Sequence, residues 1–190
     1  SIQTVEASVK ILQSSKICFA LLECTNLYPS PPEIVSLKGI AELKKAFPET
    51  LVGFSDHSIG PEMALAAIAL GACIVERHFT DSRYRIGPDI ACSMDPSELK
   101  YLIDRSKEIH VARNNPKIRT LPEEDVYKFA RSSVVADKDL PIGTILSEKD
   151  IWVRRPGSGP IPAYKYEQIL GKTLTKSKHF NEYIDWSDIA

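Results

Sequence analysis

Apolar positions alternate along the first two thirds of the chain between short continuous runs and stretches at helical spacing. From Ile2 to Leu12 they recur as on a helix, and Ile17 to Cys24 is a near-continuous apolar run bounded by the proline-containing loop Thr25–Glu33. Such a run reads as a strand buried on both faces, while the spacing of Leu37, Ile40, Ala41, Leu43 and Phe47, with lysines between, predicts an amphipathic helix. Leu51–Phe54 repeats the strand pattern. Pro61–Leu70 repeats the helical one, with proline in its first turn and Gly71 closing it. A third strand, Ala72–Val75, and a third helix, Pro96–Ala112, complete the alternation. Strand and helix in strict succession are the mark of parallel βα units, whose strands need not alternate because both faces are covered.

The texture changes after Arg113. Asn114–Asp125 carries two asparagines and two prolines and few core residues, so residues 114–127 read as a linker. Beyond it the pieces are short: a strand Ser132–Ala136, a turn through Gly143, a capped short helix from Ser147, a strand Ile151–Arg154, a Gly/Pro loop Pro156–Pro162 and a short helix into Gly171. The expected organisation is a βα domain over 1–113 and a small α+β module over 128–190.

Composition narrows the function. In 190 residues, 43% are hydrophobic and 26% charged, which suits one domain and a small module; the net charge of -1 supplies neither a basic field for nucleic acid nor an acidic tail. The longest apolar stretches, such as Cys18–Leu22, are far below the roughly 18 residues of a membrane helix. A cytoplasmic protein is expected, with no membrane or nucleic-acid partner. Cys18, Cys24, Cys73 and Cys92 include no C-x-x-C pair and read as free, buried thiols. The chain opens with Ser1 and runs directly into a helical pattern, so a preceding segment is expected.

In parallel βα architectures, functional side chains gather at the carboxyl ends of the strands. Three clusters fall there: Asn26 and Tyr28; Ser55, Asp56 and His57; and Glu76, Arg77 and His78. Two imidazoles at adjacent strand ends can hold one divalent cation, with Asp56 and Glu76 as outer carboxylates, and two nitrogen ligands point to an exchangeable ion such as Mn²⁺. The alternative is two rim histidines satisfied by neighbours. Glu76, two residues before His78, can act as a base or bind hydroxyls; otherwise Arg77 or Arg83 neutralises it. Ser55 and Asn26 suit an anionic ligand or a turn, and Tyr28 suits a sugar or packing. Asp89 sits in the turn Ile86–Asp89. Arg154 and Arg155 end a strand before a flexible loop, and Phe129 lies at the edge of the linker. His110 and His179 lack such context and read as solvated.

The segments Gly53-Phe54-Ser55-Asp56-His57-Ser58, Val75-Glu76-Arg77-His78-Phe79-Thr80-Asp81 and Gly87-Pro88-Asp89 resemble the bacterial branch of the sialic acid synthase family. Leu22–Pro29 and Val153–Gly157 match in the same order, so the resemblance covers the whole chain. It implies the C-terminal part of a (β/α)8 TIM barrel followed by an antifreeze-like SAF domain, in a domain-swapped homodimer. It also implies a metal-dependent transferase that condenses phosphoenolpyruvate with N-acetylmannosamine or a related N-acetylated hexose, giving a nine-carbon 2-keto sugar acid and phosphate. Through the matching motifs, His57 and His78 would hold Mn²⁺ or another divalent cation such as Mg²⁺, and Asn26 and Ser55 would contact phosphoenolpyruvate. Tyr28, Glu76, Asp89, Phe129 and Arg155 would contact the sugar, with Glu76 handling a proton and Arg155 reaching over from the partner subunit.

The resemblance further implies an upstream half-barrel carrying phosphate-binding lysines that this chain lacks. About three of eight βα units can be counted, an unpaired strand edge is expected, and the chain alone is expected to be inactive. A legionaminic or pseudaminic acid synthase, or a noncatalytic protein using the SAF domain to bind carbohydrate or a partner, are the alternatives.

Overall fold

In the computed structural model, which describes all 190 residues, the chain divides into two units, Ser1–Pro116 and Lys117–Ala190. The first unit begins with helix α1 (Ile2–Ser14) and then alternates: β1 (Ala20–Cys24), α2 (Lys38–Ala46), β2 (Leu51–Asp56), α3 (Glu62–Ala69), β3 (Val75–Arg77) and α4 (Pro96–Asn114). The strands form one parallel sheet in the order β1-β2-β3, with Cys24 beside Ser55 and Ser55 beside Glu76. Between β3 and α4, Met94 makes a parallel bridge to Phe79, its N–H donating to the His78 carbonyl at 2.8 Å. A short extended segment at Met94 therefore pairs with the chain just past the end of β3, a pairing the apolar runs do not predict. β1 has a neighbour on one side only and is an edge strand.

The helices cover one face of this sheet. Ile40 and Leu43 of α2 pack on Val52 and Phe54 of β2 with Ala67 and Ala72, and Ala64 of α3 packs with Met94 and Leu102. Phe54 is 1% exposed, so its transfer from water contributes about 2–3 kcal/mol. Helix ends follow local chemistry. Asp95 caps α4 by accepting from the N–H groups of Ser97 and Glu98, Glu98 reaches back to the Asp95 N–H, and Pro96 fills the first turn. Gly71, at φ +99°, ends α3 in the left-handed region that only glycine enters without strain.

In the second unit, helix α5 (Glu124–Ala130) precedes an antiparallel pair, β4 (Ser133–Ala136) and β5 (Ile151–Arg154). Part of the 114–127 stretch is thus structured, with a 3-10 turn at Leu121–Glu123 and the start of α5. Val134, Leu146, Ile151, Ile161, Leu174 and Ile184 form its core, and single antiparallel bridges such as Leu140–Lys178 and Leu174–Ile189 tie the loops together.

The helix expected from Ser147 and the burial expected of three of the thiols fail here. The cap at Ser147 is real, since its N–H donates to Asp150 Oδ2 at 2.9 Å, but β5 starts at Ile151 and leaves room only for a turn. The expected short helix into Gly171 is present as the 3-10 helix Ala163–Ile169. Among the thiols, all four are free, but Cys18 and Cys73, each two residues ahead of a strand, and Cys24, at the end of β1, are exposed, and only Cys92, in the 3-10 turn Ile90–Cys92, is buried.

Candidate functional site

Side chains alternate across a strand, so residues at paired positions on β2 and β3 sort onto two faces. Ser55 and Glu76 share one face, and the Ser55 hydroxyl donates to Glu76 Oε1 at 2.7 Å. His57 and His78 continue that face one step past the strand ends, with ring centroids 5.4 Å apart. The Tyr28 ring, from the loop after β1, lies 4.0 Å from that of His57 and 5.6 Å from that of His78. Its hydroxyl donates to Asn26 Oδ1 at 3.3 Å. Five expected site residues, Tyr28, Ser55, His57, Glu76 and His78, are therefore contiguous on one rim, and Asn26 is attached through Tyr28.

Asp89 begins the 3-10 turn Ile90–Cys92, and its carbonyl accepts from the Ser93 hydroxyl at 2.7 Å. Burial pushes the Tyr28 phenol up, and the neighbouring groups of Cys24, Asp89, Cys92 and Glu76 push it further. Phe129 on α5 and Arg155 after β5 belong to the second unit, where both are exposed, Phe129 by 67%. His110 and His179 are exposed, the latter with Nδ1 3.5 Å from Asp139 Oδ1.

The His57 ring is held by the backbone. Nδ1 lies 2.9 Å from the Thr25 carbonyl, a contact that is a hydrogen bond only if Nδ1 carries the proton. That tautomer leaves Nε2 with a bare lone pair, the arrangement of an imidazole ready to bind a cation. Two imidazoles stand on one rim, and no group of three or more His, Cys, Asp or Glu side chains is arranged around a metal position, so the two rings are the nitrogen donors available to a divalent ion. Solvent or substrate oxygens would supply the remaining ligands.

Two expected pairings are corrected. Asp56 is no outer carboxylate for either histidine; it lies on the opposite face, 3.6 Å from Arg77 Nη1, with both side chains almost wholly buried. Glu76 is neutralised by neither arginine, since Arg77 pairs with Asp56 and Arg83 with Glu98 and Asp95. The outer partner of His57 is a carbonyl, which side-chain types cannot reveal. Cys24 also escaped notice as a rim residue: its Sγ lies 3.8 Å from His57 Nδ1, and the signal available was its place at the end of a strand.

Comparison with known proteins places these motifs. The model of the NeuB family matches residues 1–117, and that of the SAF domain matches residues 131–190. The chain is 42% identical over 165 residues to the N,N'-diacetyllegionaminic acid synthase of Campylobacter jejuni, covering 86% of this chain and 49% of the relative. It is 36% identical over 175 residues to the human N-acetylneuraminate-9-phosphate synthase, covering 92% and 49%. Among solved structures, the N-acetylneuraminic acid synthetase of Leptospira borgpetersenii superposes with a TM-score of 0.61 at 33% identity, over 66% of this chain and 44% of that one. The chain spans about half the length of the curated relatives it matches. With the match running through every strand of the first unit and a SAF domain following it, the chain belongs to the NeuB family.

Proposed function

We propose that this chain supplies the cation-binding rim of a sialic acid synthase-type transferase. The reaction condenses phosphoenolpyruvate with N-acetylmannosamine or a related N-acetylated hexose to a nine-carbon 2-keto sugar acid and phosphate. The observation that carries the reading is the rim itself: His57 and His78 side by side, His57 fixed by the Thr25 carbonyl, with Tyr28, Ser55 and Glu76 around them. The names of the relatives support it, since they include legionaminic, pseudaminic and neuraminate-9-phosphate synthases. The three parallel strands, with the parallel bridge Phe79–Met94 beyond them, are consistent with the last part of a (β/α)8 barrel.

In the overall reaction the phosphoenolpyruvate methylene carbon bonds to the aldehyde carbon of the open-chain sugar. Water adds to the enol carbon, and the carbon–oxygen bond to phosphate breaks. A divalent cation, Mn²⁺ or Mg²⁺, held by His57 and His78 would polarise the aldehyde oxygen. Ser55 holds one oxygen of Glu76, which leaves the other free to take or return a proton at the sugar hydroxyls. Asn26 fixes the Tyr28 hydroxyl, and the ring then forms a wall beside the imidazoles. Asp89 serves as a further acceptor for sugar hydroxyls. Arg155 of the SAF domain and Phe129 of α5 contact the sugar in a domain-swapped homodimer, and the phosphate-binding cations come from a preceding half-barrel.

Equilibrium binding of Mn²⁺, followed by water-proton relaxation, tests the metal site on this chain directly. Saturable binding that His57→Ala and His78→Ala each weaken at least about tenfold is expected. Undiminished binding by both variants would remove the two-histidine site.

A further inference from the structure

Behind the rim, on the helix-facing side of the same two strands, lies a buried ion pair with no role in the chemistry above. Asp56 and Arg77 are register partners, the last residues of β2 and β3, and each immediately precedes one of the two histidines. Their side chains are 0% and 2% exposed. The guanidinium is the hub of a backbone network. Its Nη1 donates to the Gly60 carbonyl; its Nη2 donates to the carbonyls of Ser58, at 2.5 Å, and Cys92, at 3.4 Å. Asp56 Oδ1 accepts from the Ser58 N–H at 2.9 Å. One side chain thus ties together the loop after β2, the end of β3 and the turn that begins at Asp89.

Stability alone does not account for this node. Burying two opposite charges costs several kcal/mol per ion, and well-packed apolar residues of similar volume are often as stable or more so. The node is also incompletely satisfied, since Asp56 Oδ2, Arg77 Nε and Ser58 Oγ are buried without a hydrogen-bond partner. Each such orphan is destabilising, though Asp56 Oδ2 keeps the charge of Arg77 Nη1 at 3.6 Å. What the node does provide is a rigid cross-link between the two strand ends at the step before the imidazoles.

We propose that Asp56 and Arg77 are positioning residues that set the separation and orientation of His57 and His78 without touching ligand or metal. This inference rests on the two-histidine cation site argued above. It predicts that geometry and stability can be separated by substitution. Arg77→Met leaves Asp56 buried and unpaired and destabilises the first unit. The double variant Asp56→Leu/Arg77→Met removes both charges and restores the melting temperature, but it does not restore the site.

The test uses the full chain and the ligand-field absorption of Co²⁺, with Co²⁺ alone as the probe. The double variant is expected to melt near the wild type while binding Co²⁺ about tenfold or more weakly, with an altered visible spectrum. Arg77→Lys, which keeps the charge and loses the fork, is expected to fall between the two. A second readout needs no metal: the nuclear Overhauser effect between the His57 and His78 ring protons is expected in the wild type and weakened in the double variant. A double variant with wild-type Co²⁺ affinity and an unchanged Overhauser effect would overturn the proposal. If the wild type bound no Co²⁺, or His57→Ala bound it equally well, the two-histidine reading would fail instead, and the metal-free readout would still decide whether the pair positions the rings.

Discussion

At the scale of single residues, the rim is defined by what each side chain is bonded to rather than by its type. Glu76 is the group with a free carboxylate oxygen next to the imidazoles, because Ser55 occupies only Oε1. Glu76→Gln keeps that hydrogen bond and removes the base, so turnover in an assembled synthase is expected to fall about 100-fold or more with little change in melting temperature. A steady-state assay alongside thermal unfolding separates the two quantities, and full activity in Glu76→Gln would remove the proton-transfer role. Cys24 gives a chemical handle on the same place. Its thiol is exposed and 3.8 Å from His57 Nδ1, so alkylation at Cys24 should crowd the ring and weaken divalent-cation binding, whereas alkylation at Cys73 should not. Mass spectrometry to locate the adduct, followed by a Co²⁺ titration, checks this. The residue types at the rim were legible in the sequence. Their partners were not, because a carbonyl such as that of Thr25 and a register such as Asp56–Arg77 are set by how two strands align.

At the scale of elements, legibility followed how local the determinants are. Helices α2 and α4 lie close to their expected bounds, since amphipathic spacing and the Asp95–Glu98 capping box act within a few residues. The expected strand Ala72–Val75 overlaps β3, Val75–Arg77, only at its last residue, although its approach already pairs with β2: the Cys73 N–H donates to the Val52 carbonyl at 3.0 Å and the Phe54 N–H to the Ile74 carbonyl at 2.9 Å. Gly53 shows how tight that pairing is. A Cβ there would sit 2.6 Å from the Ile74 carbonyl oxygen, so Gly53→Ala must push β3 away from β2. A loss of about 1–3 kcal/mol is expected in urea unfolding followed by circular dichroism, and wild-type stability would show that the strands can part freely.

The second unit carries its own switch of stability with pH. Burial pushes the Asp188 carboxyl up, but hydrogen bonds from Lys178 at 2.7 Å and Lys176 at 2.9 Å outweigh it and hold the group down at about 2, against an ordinary 3.8. A carboxyl held low in the folded state adds stability above its unfolded value and loses it as pH falls from 3.8 toward about 2. Both tryptophans lie in this unit, so their fluorescence reports on it selectively. Asp188→Asn should be destabilised at neutral pH by about 3 kcal/mol and should lose the steep acid dependence in that window. An unchanged acid profile would contradict the assignment.

At the scale of the whole molecule, no helix is long and apolar enough to cross a membrane, and the near-zero net charge gives no field for long-range steering. The chain holds the rim and a SAF domain but spans about half the length of its curated relatives. In β1 it presents a strand with one unpaired edge. The proposal that the activity needs a preceding half-barrel is tested most directly by phosphate release from phosphoenolpyruvate in the presence of Mn²⁺. The measurement should be made with this chain alone and with the chain joined to the N-terminal half of a relative, offering N-acetylmannosamine and the diacetylated hexoses that lead to legionaminic and pseudaminic acids. The account predicts no turnover by the chain alone, sugar-dependent phosphate release by the joined protein, and its loss in His57→Ala. Phosphate release that persists in the joined His57→Ala protein, or that is absent from the joined wild type with every sugar, would contradict it.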